Sequence, residues 1–139
     1  MTSYKTTSLV LFLLLACIYC SAYPNTAVPT TTELTISSRY VDIGTPVTLT
    51  ARVLLGSAPV RHGTVVFCDA NAARCQGLAI LGSAQLTSSG TAFARLTFGA
   101  GTYAIKAVFQ GTPRTVPPVS GSASSVLALT VNTGAKSRP

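Results

Sequence analysis

The chain has no tryptophan, a single histidine and only three carboxylate side chains in 139 residues. Each scarcity removes a class of chemistry. The three carboxylates, Glu33, Asp42 and Asp69, are dispersed along the chain, and nothing places two of them together as glycoside hydrolysis requires. Nor do they supply the cluster of oxygen ligands that calcium sites gather. The histidine, His62, follows Arg61 in a loop-like stretch. General-base chemistry would need a nucleophile and an orienting group brought to it from distant turns, and the sequence selects neither. The inventory therefore assigns no catalytic residue, no cofactor and no metal site, and His62 reads as an exposed loop residue. Without tryptophan, only Tyr40 and Phe93 remain as outward-facing aromatics able to stack on a sugar.

Charge is also sparse. Charged residues make up 9% of the chain, and ten basic side chains give a formal net charge of +7. A basic balance invites nucleic acid, but Arg39, Arg52, Arg61, Arg74, Arg95, Lys106 and Arg114 stand singly. Phosphate-binding surfaces usually gather such residues into a run or interleave them with aromatics. Specific nucleic-acid binding is not expected. Dispersed positives account for solubility and loose attraction to anionic surfaces.

What is present begins with a leader. Lys5 precedes the apolar run Leu9 to Cys20, followed by the small residues Ser21 and Ala22. The run falls short of the roughly 20 apolar residues needed to span a bilayer, and the layout is that of a secretory signal occupying residues 1–22. Cleavage after Ala22 leaves a secreted chain beginning at Tyr23, with no transmembrane segment. Leu14-Leu15-Ala16-Cys17 also resembles a lipobox, so lipidation at Cys17 and anchoring at the cell surface is the alternative. Residues 23–32, rich in Pro and Thr, read as a linker. Residues 132–139 form a polar, basic tail.

Between them, residues 33–131 provide one domain's worth of chain. Short stretches of alternating apolar residues recur there, separated by Gly, Pro, Ser or Asn, with no competing helical period. Strands are expected at Glu33 to Ser37, Val47 to Leu54, Thr64 to Cys68, Leu78 to Leu81, Ser83 to Thr87, Thr91 to Phe98, Thr102 to Gln110 and Ser124 to Val131. Two are especially regular. In the first, Val47, Leu49, Ala51 and Val53 share a face; in the second, Tyr103, Ile105, Ala107 and Phe109 do. These two strands are expected to pair with each other. Phe67 and Val65 point inward from the third strand, with Val66 on its other face. The class is all-β, a sandwich of two antiparallel sheets with seven or eight strands.

Cys68 and Cys75 bracket the sequence CDANAARC. In an exported protein such a pair is expected to close its loop as a disulfide, worth on the order of 2–3 kcal/mol in loop-closure entropy. Zinc would need two further ligands, which His62 alone does not supply. Redox cysteines are usually spaced more closely.

The ordered segments TTTELTISS, VDIGTPVTLTARV, GTVVFC, LGSAQLTSSGTAFARLTF and GAGTYAIKAVFQG closely resemble bacterial Ig-like domains of secreted and surface proteins. The likeness runs from about Thr30 to Val131. It implies an immunoglobulin-like β-sandwich acting without catalysis as a spacer, structural support or adhesive module, with other domains or extracellular proteins as partners. The alternative is an accessory domain that binds carbohydrate, including cell-surface glycan, or polyanions. The resemblance gives Tyr103 a structural role, its ring filling a corner and its hydroxyl bonding nearby backbone. With Leu49, Phe67 and Ile105 it is expected to belong to the structural core. The chain departs from the antibody pattern, since neither regular strand carries a cysteine to join the sheets.

Overall fold

The computed structural model describes residues 26–134. The expected leader, including Cys17, and the last residues of the tail lie outside them. Among the described residues the chain forms ten strands. These are β1 (Thr31–Ile36), β2 (Tyr40–Asp42), β3 (Pro46–Leu55), β4 (Ala58–Pro59), β5 (Thr64–Asp69), β6 (Ile80–Gln85), β7 (Thr91–Thr97), β8 (Gly101–Phe109), β9 (Ser122–Ala123) and β10 (Leu127–Asn132). A short 3-10 turn, Gly77–Ala79, precedes β6.

Two sheets divide these strands. In the first, β3 is central, paired antiparallel with β1, β4 and β7. In the second, the order β2-β10-β8-β5-β6 places β8 at the centre, with β9 pairing beside it. The two most regular strands therefore do not pair with each other, contrary to the sequence expectation. Each is the central strand of its own sheet. Their matching alternation reflects this shared situation: a central strand of a two-layer sandwich buries one whole face, whichever sheet it belongs to.

The inner faces meet in one apolar cluster. Val47, Leu49, Ala51 and Val53 from β3 and Ala92 and Ala94 from β7 contribute from the first sheet. Val65 and Phe67 from β5, Ile105, Ala107 and Phe109 from β8, and Leu129 and Val131 from β10 contribute from the second. Leu49, Phe67 and Ile105 are fully buried, while Tyr103 packs half-buried against the cluster. Burying each large aliphatic or aromatic side chain stabilises by about 1.5–3 kcal/mol relative to exposure.

The chain changes sheets after Ile36. Ser37 and Ser38 make the step: the Thr48 N–H donates to Ser37 Oγ at 3.0 Å, and Ser38 Oγ donates to the Tyr40 carbonyl at 2.8 Å. Short hydroxyl side chains satisfy backbone groups locally where a ladder is interrupted. Beyond them β2 runs parallel to β10, an element too short to show a period in the sequence.

Two further expectations are corrected. Val28, within the expected linker, forms a bridge to Val119, and β1 begins at Thr31, so this part of residues 23–32 is built into the sandwich. Gly82 does not break a strand, since β6 runs through it. The irregularity there is a register shift opposite Phe67 and Cys68 that leaves Leu81 extra. Gly82 faces Leu96 and Ala94 of the other sheet, whose side chains fill the space beside it. Val66 lies on the outer face of β5, as expected, and is buried there. Cys68 shares that face, and its disulfide partner Cys75 is bound there too.

Candidate functional site

Beyond β5 the chain makes its most individual turn. Cys68 and Cys75 are joined as a disulfide with Cα atoms 5.6 Å apart. The Asp69 carboxylate is committed to the same turn: its Oδ1 accepts the Asn71 N–H at 2.9 Å, and its carbonyl accepts the Ala72 N–H at 3.3 Å. The Ala70 N–H donates to Ala104 of β8, fixing the turn to the sheet. Both cysteines belong to one sheet and its adjoining loop, so the bridge constrains the turn and does not join the layers. Leu78, at the end of this turn, is fully exposed.

One end of the sandwich is closed by tight turns. There the Tyr103 hydroxyl donates to the Gly99 carbonyl at 3.0 Å, and its ring packs on Phe98 with centroids 4.9 Å apart. The Thr45 N–H donates to the Asp42 carbonyl, and the Ile43 N–H to the Asn132 carbonyl.

The opposite end is built from two longer connections. The first follows the β3–β4 hairpin through Val60, Arg61 and His62. The second is the 111–121 segment, rich in Pro, which folds back on itself through reciprocal backbone hydrogen bonds between Thr112 and Val119. The chain before β1 ties them together. The Val28 N–H donates to the Pro118 carbonyl, and the Val28 carbonyl accepts the Ser120 N–H. Ser122 Oγ lies 2.8 Å from Thr30 Oγ1 and 2.7 Å from Thr32 Oγ1. Thr32 is thereby buried without an unsatisfied polar atom.

Between them these connections form an open, solvent-accessible cavity of about 370 Å³. The hairpin lines it with Leu55, Ala58 and Pro59, and the connection after it with Val60, Arg61 and His62. Val28, Thr112, Thr115, Pro117 and Val119 complete the wall. The threonine hydroxyls are engaged within the loop, since Thr115 Oγ1 donates to the Thr112 and Pro117 carbonyls at 2.8 and 2.9 Å, and Thr112 Oγ1 lies 3.0 Å from Thr115 Oγ1. Arg61 and His62 are exposed at the rim. Sequence reasoning missed this site. Val28 is remote in sequence from the 55–62 and 112–119 stretches, and none of the three carries a motif.

Comparison with known families decides the relationship. The profile of the family described as bacterial Ig-like domain (group 3) matches residues 34–132, more than half of the chain. The chain belongs to that family. No curated protein and no solved structure matches it. The matched span of this Ig-like domain contains β3, β8 and Tyr103 as well as the disulfide-bridged turn and most of the cavity wall. Its two outward aromatics are separated by the fold. Tyr40, 74% exposed, lies on the outer face of the second sheet, while Phe93, 55% exposed, lies on the outer face of the first. They cannot form one stacking platform. Among the described residues, no three metal-ligating side chains cluster, and no helix is long and apolar enough to cross a membrane.

Proposed function

We propose that this Ig-like domain is a noncatalytic extracellular module that spaces or supports neighbouring segments and contacts other domains or extracellular proteins through its strand edges and loops. One observation carries the reading: the chain enters and leaves at opposite ends of the sandwich. Thr31 pairs with Leu54 beside the cavity, while Asn132 pairs with Asp42 at the end closed by Tyr103. β1 and β10 both run from the first end towards the second. A nine-residue strand such as β8 spans about 30 Å, so segments attached before and after the domain are held apart by roughly that distance. The layers are held by hydrophobic packing and by the Ser122 ties to Thr30 and Thr32, since the disulfide lies to one side.

Fusing two fluorescent proteins to the ends of the mature chain tests the reading through energy transfer. The expected result is a fixed transfer efficiency that corresponds to domain ends held about 30 Å apart and that falls when the domain unfolds in denaturant, because an unfolded chain of this length separates its ends further. A folded-state efficiency that places the two ends in contact, or one that does not fall on unfolding, would overturn it. A glycan array with salt-dependent heparin binding supplies the second arm, and saturable, sugar-selective binding there would replace the spacer reading with that of a carbohydrate- or polyanion-binding accessory domain.

A further inference from the structure

The cavity at the end where the chain enters is not explained by spacing. It is an open pocket with the volume of a small-ligand site, about 370 Å³. Its wall combines two kinds of group. Val28, Leu55, Val60, Pro117 and Val119 make it apolar. The hydroxyls of Thr112 and Thr115 are consumed in the loop's own hydrogen bonds, so they add little polarity. The exceptions are Arg61 and His62, adjacent in sequence and lining the same cavity. Among the described residues neither forms a hydrogen bond or an ion pair. No carboxylate lines the cavity to neutralise them.

We infer that this cavity is a binding site for a small organic anion with an apolar body, a medium-chain acyl or aryl carboxylate. The apolar body displaces water from the valine and proline wall, and the carboxylate meets the Arg61 guanidinium at the rim in a charge-assisted hydrogen bond, with His62 as a second donor. Neutral or cationic molecules of the same shape gain only the first contribution. The wall is held from three separate parts of the chain, by the backbone pairing of Val28 with residues 118–120 and by the Ser122 hydroxyl ties. The site is therefore preorganised, and binding need not order the loop.

Decanoate, decanol and decylamine, titrated into the ¹⁵N-labelled mature protein with its disulfide intact, separate the possibilities. Decanoate is expected to bind saturably at one site, shifting the amides of Val28, Leu55, Val60 and Val119, with decanol weaker and decylamine weakest. Arg61→Ala should weaken decanoate about tenfold, the loss of one charge-assisted contact, while decanol binding persists. Ala58→Trp, which fills the cavity from an exposed position, should abolish both, with folding checked by retention of the core amide spectrum. Arg74→Ala, on the disulfide-bridged turn, should change neither. Non-saturable binding, equal binding of decylamine, or indifference to Arg61→Ala would overturn the inference. So would cavity amides that shift with protein concentration in the absence of any acid, because a second copy would then be the occupant.

Discussion

The two ends of this sandwich are solved differently by the same chain. At the Tyr103 end, turns of a few residues close directly over the core, and one ring and its hydroxyl finish the corner. At the Val28 end, two long connections must be tied to a third piece of chain by backbone bonds and a serine shared between two threonines. The short turns bring Phe98 and Tyr103 against the core cluster. The long, Pro-rich connection cannot extend the sheet ladder, because proline lacks the donor, and it arches away to leave a cavity. The contrast teaches that in a small sandwich the hydrophobic layers supply stability, while loop length at each end decides whether a pocket exists.

Four measurements would break or sharpen that contrast. The largest effect is expected from Phe109→Ala, at the cavity end of β8, whose ring lies against Gly63 within the buried cluster. Its loss should cost about 3–5 kcal/mol in urea unfolding. Tyr103→Phe, at the other end of the same strand, removes only the hydroxyl and should cost about 1 kcal/mol. If the two costs were equal, the ends would not differ as described.

Next come two glycines in the left-handed region. Gly111 has φ +78°, and a Cβ there would sit 2.6 Å from the Val119 carbonyl and 2.8 Å from the Gly121 nitrogen. Gly44 has φ +83° with open space around it. Gly111→Ala should cost at least about 2 kcal/mol, combining backbone strain with displacement of the 119–121 segment, whereas Gly44→Ala should show only the strain of about 1 kcal/mol. Thermal unfolding of the pair reads the difference.

Cys75→Ala removes a bridge on the flank of the sandwich. It should cost about 2–3 kcal/mol, while amide exchange at both ends stays unchanged, and mass spectrometry with and without reduction should report the bridge directly in the parent protein. The smallest effect belongs to Ser122→Ala, expected to cost about 1 kcal/mol. Its signature is local, with faster amide exchange at Val28 and Ser120 and no change at Ile43 or Thr45.

Much of this was legible in advance because a two-layer sandwich imposes a period of two on every strand with one buried face. β3, β7 and β8 announced themselves that way, and so did the inward positions Leu49, Ile105 and Phe67. Tyr103 needed the family resemblance, since nothing in its spacing distinguishes it from its neighbours. β2 was illegible at three residues, and the break anticipated at Gly82 misread a bulge whose space is filled from the opposite sheet. Val66 looked outward by alternation, yet it is buried on the face that also carries the disulfide.

The sequence by itself determined the class of the protein, the core positions and the cysteine pair, because alternation, turn residues and loop closure are local properties that a single strand or loop expresses. Its poverty in carboxylates, histidine and tryptophan likewise limited the chemistry available. Only the tertiary structure decided that β3 and β8 sit in opposite sheets, that Tyr40 and Phe93 face away from each other, and that Val28, Leu55, Arg61 and Val119 meet around one cavity. Strand partners and pocket walls depend on groups far apart in the chain, and an apolar face carries no mark of which other apolar face will cover it.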